Sequence, residues 1–335
     1  MDTTRRGIAA GLGAFALLTG TLPVQAQQGA SAPAAAPAES PADMAARMAA
    51  AQAVPDTAGD GPYPAMIEID PALPGHVVYR PADLTRVGAG QLGLFVWGNG
   101  GCAADGTSSR HHLAQIASYG YLVIAPGAWR SGPNAKAKAE GPRVRGADGA
   151  MPPAPTSAAD LTRALDWALA ENARSGSRYA GKIDPAAVAA GGFSCGGVQA
   201  IEIAPDQRIK TLVVQNSGLF SDMSQAISGM QVPKEALQKI HTPVIYLQGG
   251  PTDIAFANGN DDFARINHVP AVMVNLPVGH GGTYDKPMGG KAASIVIDWL
   301  NWQLRGDASA GRTFAGANCR LCTDAEATLE RKNLK

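Results

Sequence analysis

Short apolar runs separated by glycine-rich turns alternate along this chain with longer stretches of helical period, which predicts a sheet wound with helices. Residues 77–80 and 92–97 read as early strands, and 121–125 as the next, ending at Pro126-Gly127. Further strands are predicted at 188–190, 211–215, 243–248 and 271–276. A helical stretch begins at Leu113. Residues 158–172 place Leu161, Leu165, Trp167 and Leu169 at near-helical spacing after Thr156-Ser157, a usable N-cap. Residues 292–304 form a closing helix that turns Ile295, Ile297, Trp299 and Trp302 toward the sheet. The expected fold is α/β: a doubly wound, mostly parallel sheet with helices on both faces and no large cap domain.

The turn after the strand at 188–190 is Gly192-Phe-Ser-Cys-Gly196, and the helical Gly197-Val-Gln-Ala-Ile follows at once. A strand, a sharp G-x-S-x-G turn and a helix make a nucleophile elbow. The flanking glycines let backbones approach at both edges while the middle residue is held in strained φ/ψ space, which presents Ser194 at the tip. In a chain with 40 glycines the pentapeptide can arise by chance. The chain order that follows gives it weight, because Asp253 stands in the loop after the strand at 243–248 and His280 in the glycine-rich loop after the strand at 271–276. All three fall at the edge of the sheet where open α/β sheets place their sites. Serine needs a base to become nucleophilic, and the base needs a carboxylate on its other nitrogen. Ser194, His280 and Asp253 fit those roles. Asp222, Asp261 and Asp262 are read as loop residues and rivals for the acid. The tandem His111-His112 opens a helix and reads as a solvated pair without a metal role.

A tetrahedral intermediate needs two backbone N–H donors. Cys195, after the nucleophile, supplies one. The other is expected from the turn Trp97-Gly-Asn-Gly-Gly-Cys102, with Asn99 the first choice and Gly100 the second.

These residues resemble the α/β-hydrolase superfamily, and within it the group of dienelactone hydrolases, cutinase-like polyester hydrolases and chlorophyllase-like esterases. Trp97-Gly-Asn99 is similar to that group's Pro-Gly-aromatic oxyanion loop, with Trp and Asn in place of Pro and the aromatic. The stretch 116–125 resembles its helix ending in Ala-Ser-His-Gly and running into a strand, with Tyr119 replacing His. Gly192 to Gly197 resembles its elbow, where Met usually stands at the position of Cys195. Asp253-Ile-Ala matches the acid loop Asp-x-x-Ala loosely, one residue shorter. The resemblance spans residues 63–305.

Length and charge agree with this. A chain of 335 residues, 45% hydrophobic, is ample for one core of about 250 residues. Net charge is +0, so no global field draws nucleic acid or an anionic membrane, and neutral substrates are expected. The basic Arg5-Arg6, the apolar stretch 8–22 and the small residue closing Val24-Gln25-Ala26 predict a signal peptide over 1–26, by general secretion or by twin-arginine export. The mature protein is expected to be a periplasmic or extracellular monomer with no stable membrane insertion after cleavage. An Ala- and Pro-rich linker is assigned to 27–58, the catalytic domain to 59–325 and a C-terminal tail to 326–335.

Four cysteines in an exported chain form an even set. Cys319 and Cys322 lie in the tail region, whereas Cys102 and Cys195 lie in the two loops that supply the oxyanion amides. Bridges Cys102–Cys195 and Cys319–Cys322 are therefore expected, the alternative for the first pair being two buried thiols. The long loop 128–155 is either part of the substrate rim or without fixed structure, and Trp129 at its start is a candidate substrate-binding residue. Of the segment between 215 and 243 only Met223, Ile227 and Met230 are candidate exposed apolar residues, so no lipase-type lid is expected.

The function expected is that of an exported serine hydrolase, a carboxylic ester hydrolase without cofactor or metal, acting through an acyl-enzyme on small-molecule or polymeric esters. The alternatives are a peptidase, amidase or lactonase on the same fold, or an exported binding protein without turnover.

Overall fold

The computed structural model describes residues 50, 52–141, 144, 146–147 and 151–334. The expected signal segment and residues 27–49 lie outside the described residues. Among the described residues the sheet has nine strands: β1 (Ala65–Glu68), β2 (His76–Pro81), β3 (Leu92–Gly98), β4 (Tyr121–Pro126), β5 (Ile183–Phe193), β6 (Thr211–Gln215), β7 (Val244–Gln248), β8 (Ala271–Asn275) and β9 (Thr328–Lys332). Their order is β1-β2-β4-β3-β5-β6-β7-β8-β9. The run from β4 to β8 is parallel, while β1, β2 and β9 pair antiparallel with their neighbours.

Successive side chains of a strand point to opposite faces, so each central strand feeds two cores. In β3, Leu94 and Val96 enter one core while Phe95 and Trp97 enter the other. In β7, Val244 and Tyr246 oppose Ile245 and Leu247 in the same way. Helices α1 (Arg110–Ser118) and α5 (Gly290–Arg305) cover the face of Phe95 with Leu113, Ile116, Val296 and Trp299. Helices α2 (Ala158–Ala173), α3 (Cys195–Glu202) and α4 (Phe256–Arg265) cover the opposite face with Leu161, Leu165, Val198, Ile201 and Phe263. A short α6 (Ala308–Gly311) follows α5. The start of α2 is fixed by a capping box in which Ser157 and Asp160 each take the other's backbone N–H. The α/β architecture with helices on both faces of a mostly parallel sheet is thus as the hydrophobic pattern predicts.

Five expectations are corrected. The tail assigned to 326–335 contains β9, which pairs with β8 from Ala271↔Lys332 to Asn275↔Thr328, so the sheet does not end at 325. The end of the assigned linker is packed onto the domain. Gln52 Oε1 accepts from the Gly132 amide at 2.6 Å, and Asp56 pairs with buried Arg110 at 2.7 Å. His111 and His112 are not solvated but 1% and 0% exposed, and the first turn of α1 packs at His112 against the turn at Gly289. The His112 ring lies 5.4 Å from that of Trp97 and 5.3 Å from that of Tyr284. Burial pushes the His112 pKa down to about 3 against a hydrogen bond with Gln215, so its ring is neutral. Finally, Asp261 and Asp262 belong to α4 rather than a loop, and Met230 is buried, which leaves Met223 exposed and Ile227 half-buried.

Candidate active site

In a parallel sheet the carboxyl ends of the strands share one edge. The register Gly98↔Gly192, Phe193↔Gln215, Gln215↔Leu247 and Gln248↔Asn275 brings the ends of β3, β5, β6, β7 and β8 into line. The residues that follow these ends are Asn99, Ser194, Asn216, the loop to Asp253, and the loop to His280.

Ser194 joins β5 to α3 with φ 52° and ψ −119°, a backbone that L-residues rarely hold. Neighbouring bonds fix it there. Its amide donates to Gln215 O at 2.9 Å, and its carbonyl accepts from Gly197 N at 2.9 Å and Ser217 Oγ at 2.6 Å. The flanking glycines are required by close approach. A methyl on Gly192 would meet the backbone of Gly196, and one on Gly196 would meet the carbonyl of Gly98. The turn after β3 therefore lies directly on the first turn of α3, and the Asn99 amide nitrogen lies against Gly196. This juxtaposes the backbone of Asn99 with that of Cys195, the two expected oxyanion donors. The Asn99 side chain is committed elsewhere, donating to Ala103 O at 2.9 Å and Pro126 O at 2.7 Å, so only its backbone amide fits the role. Gly100 packs against the Phe193 ring and lines the cleft.

His280 and Asp253 complete a line of hydrogen bonds. His280 Nε2 lies 3.1 Å from Ser194 Oγ, and His280 Nδ1 lies 2.6 Å from Asp253 Oδ1. The His280 side chain is 26% exposed, while that of Asp253 is 0% exposed. Burial alone would raise the Asp253 pKa. Hydrogen bonds from His280, the Ala255 and Gly249 amides and Asn216 Nδ2 outweigh it and hold the carboxyl below its ordinary value. The group is therefore a carboxylate at neutral pH, suited to orient an imidazole and stabilise its protonated form. A carboxyl with a lowered folded pKa stabilises the fold above its unfolded pKa, and that contribution is lost as pH falls through the folded value. The stability gap between the native chain and Asp253→Asn is accordingly expected to shrink from pH ~5 toward pH ~2. Urea denaturation at each pH measures it, and a gap that widens toward acid would contradict the assignment.

The rival acids are occupied. Asp262 bonds Lys234 Nζ, the Leu219 amide and Tyr246 OH, and Asp222 accepts from Ser224 N in a helical cap. Both cysteine pairs expected from the sequence are close, with Cα–Cα distances of 5.2 Å for Cys102–Cys195 and 4.9 Å for Cys319–Cys322, and no described cysteine is free. Gln199 Nε2 braces the first pair, donating to Cys102 Sγ and to Thr156 O at 2.9 Å each.

A cleft of about 590 Å³ opens beside the elbow, lined by Gly100, Phe193, Ile227, Tyr284 and described parts of the 128–155 loop such as Glu140 and Met151. That loop thus forms part of the rim. Trp129 does not: it is 9% exposed, packs in the core beneath α1 and α5, and carries Lys136 Nζ 5.5 Å from its ring centroid. It is not among the residues that line this cleft. Among the described residues no group of three His, Cys, Asp or Glu side chains is placed to hold a metal. No described helix is long and apolar enough to cross a membrane.

Asn216 and Tyr284 are the residues the sequence did not reveal. Asn216 stands at φ 44° just after β6, and its side chain bonds Asp253 Oδ2 at 2.8 Å, Gly279 O at 3.1 Å and the Tyr284 hydroxyl. The available signal is an Asn directly after a buried strand in an Asn-Ser-Gly turn, since Asn tolerates left-handed backbone better than most residues. No family model matches the chain, and no curated protein matches it in sequence.

Proposed function

We propose that this protein is an exported serine hydrolase of the α/β-hydrolase type that cleaves carboxylic esters through an acyl-enzyme. The observation that carries the reading is the hydrogen-bonded line from Ser194 Oγ through His280 to Asp253, with the serine on a strained elbow. Chain order adds support, because Ser, Asp and His follow one another in the order of α/β-hydrolases. So does the resemblance of the elbow and the β3 turn to the dienelactone hydrolase, cutinase-like and chlorophyllase-like group.

In this mechanism His280 takes the Ser194 proton as the Oγ attacks the ester carbonyl, and the resulting oxyanion is received by the amides of Asn99, or Gly100, and Cys195. His280 then protonates the departing alcohol. Water, deprotonated by the same imidazole, attacks the acyl-enzyme and releases the acid. The cleft has the size of sites that hold small organic ligands. Its described lining includes Asp105, Glu140 and Asp285 but no Lys or Arg, which favours uncharged esters over esters bearing a free carboxylate. The two cysteine pairs are compatible with an oxidising, extracytoplasmic location.

The test is reaction of the mature chain, beginning near Gln27, with a fluorophosphonate probe, followed by hydrolysis of p-nitrophenyl esters of increasing acyl length. Labelling confined to Ser194 together with ester turnover is the expected result. A folded protein that is neither labelled nor active on any acyl length would overturn the reading.

A further inference from the structure

Asn216 joins three loops, its own after β6, the one carrying Asp253 and the one carrying His280. Its Nδ2 donates to Asp253 Oδ2 at 2.8 Å and to the carbonyl of Gly279, the residue before His280, at 3.1 Å. Its Oδ1 accepts from the hydroxyl of Tyr284, four residues after His280. Its own amide donates to Leu247 O at 2.7 Å, which ties the turn to the end of β7. The side chain is thus pinned at both ends and from below, and its amide hydrogens have one acceptor on each side of the Asp253–His280 contact.

Tyr284 extends the connection to the serine. Its ring centroid lies 4.6 Å from that of Phe193, the residue before Ser194, and Phe193 in turn lies 5.2 Å from the His280 ring. Tyr284 is 5% exposed, and burial followed by the charge of Asp253 holds its phenol pKa well above the ordinary value, so it remains a donor to Asn216. The neutral ring of His112 closes the far side of Tyr284. The titratable groups around the contact are therefore Asp253, His280, Tyr284 and His112.

We infer that Asn216, oriented by Tyr284, is a positioning residue that sets both the geometry and the charge of the Asp253–His280 pair. Two effects follow from one amide group. Geometrically, it holds the second carboxylate oxygen and the His280 loop in a fixed relation, which keeps Nε2 aimed at Ser194. Electrostatically, its N–H draws off part of the carboxylate charge that His280 would otherwise feel. Without it the carboxylate would hold an imidazolium more tightly, and activity on the acid side would be lost at higher pH.

This inference rests on the catalytic reading of Ser194, His280 and Asp253, and its test separates the two. Asn216→Ala, Asn216→Asp and Tyr284→Phe are compared with the native mature chain by the pH profile of ester hydrolysis, by kcat and KM separately, and by the low-field proton NMR signal of the hydrogen between His280 and Asp253. Asn216→Ala is expected to lower kcat about 10- to 100-fold with KM within about twofold, and to move the acid limb upward by about half a unit to one unit. Asn216→Asp keeps the shape and the tolerance of left-handed backbone. It sets a second carboxyl against Asp253, a pair that shares a proton, and so adds a titration to the profile. Tyr284→Phe, which keeps the ring packing, shifts the acid limb in the same direction as Asn216→Ala by a smaller amount. An acid limb and a low-field signal that stay at native positions in Asn216→Asp and Tyr284→Phe would overturn the inference, even if kcat fell, because loss of activity alone is what a purely structural residue gives. Should Asn216→Ala fail to fold, these two variants decide the matter. If the native chain hydrolyses no ester, the catalytic reading has failed, and the NMR signal alone still answers whether Asn216 controls the pair.

Discussion

Replacing Ser194 with alanine is expected to lower kcat/KM for a p-nitrophenyl ester by roughly 10³- to 10⁶-fold while leaving the thermal midpoint within a few degrees of native. The loss follows from removing the Oγ that lies 3.1 Å from His280 Nε2, the one serine oxygen among the described residues in hydrogen-bond contact with that ring. The fold should tolerate the change. The strained φ of 52° is imposed by the backbone bonds of Ser194 to Gln215 and Gly197, which alanine also makes, and both residues carry the same Cβ into that region. Residual hydrolysis above the uncatalysed rate would come from the backbone amides at the elbow and from binding in the cleft. Initial rates at saturating and limiting ester, with circular dichroism as the folding control, measure it. A variant that keeps more than about a tenth of native activity would remove Ser194 from the mechanism.

The second large effect concerns the link between Cys102 and Cys195. Their sequence separation of 93 implies, on the chain-entropy relation, about 4–5 kcal/mol of stabilisation through restriction of the unfolded chain. The pair Cys319 and Cys322, separated by 3, gives under about 2 kcal/mol on the same relation. Cys102→Ser with Cys195→Ser should therefore lower the urea midpoint far more than Cys319→Ser with Cys322→Ser. Activity should fall as well, because the first pair fastens the turn carrying Asn99 and Gly100 to the first residue of α3. A single misplaced oxyanion donor costs about 2.7–4 kcal/mol of transition-state stabilisation, a fall in kcat of roughly 10²- to 10³-fold. Midpoints and kcat from the two double variants, without reductant, test both halves. Equal midpoint shifts for the two pairs would show that loop restriction is not what the first pair supplies.

What the sequence made legible is what glycine and apolar runs mark. Ser194 and His280 are each bracketed by glycines next to a run of buried strand residues, and Asp253 follows the run 243–248 through Gly249-Gly250. These signals are local, since a strand end and a tight turn are written in adjacent residues. What was hidden depends on neighbours distant in the chain. Thr328-Leu-Glu-Arg-Lys has no apolar alternation, and it is a strand because β8 offers it an edge. Phe256 to Arg265 contains Asn, Gly and two Asp, poor helix formers. It is a helix because Phe263 packs into the core and Asp262 is neutralised by Lys234 at 2.5 Å. His111 and His112 are polar by type yet buried, and the packing of the His112 ring against Trp97 and Tyr284 joins residues far apart in the chain. Asn216 acquires its bonds to Asp253 and Tyr284 through sheet register, and no short window of sequence contains that relation.

The final strand has a consequence for how the molecule behaves among its own copies. β8 is buried from Ala271 through Val274, and an uncovered strand of that kind presents a row of unpaired amides and carbonyls on an apolar ribbon, an invitation to edge-to-edge aggregation. β9 occupies that row and offers in its place an edge bearing Glu330, Arg331 and Lys332, with Lys332 anchored to the carbonyls of Phe263, Ala264 and Ile266. At the opposite margin, β1 is only 4 residues long, too short to template another chain. Both sheet margins thus carry features that discourage edge-to-edge pairing, and β9 is what keeps one of them shut.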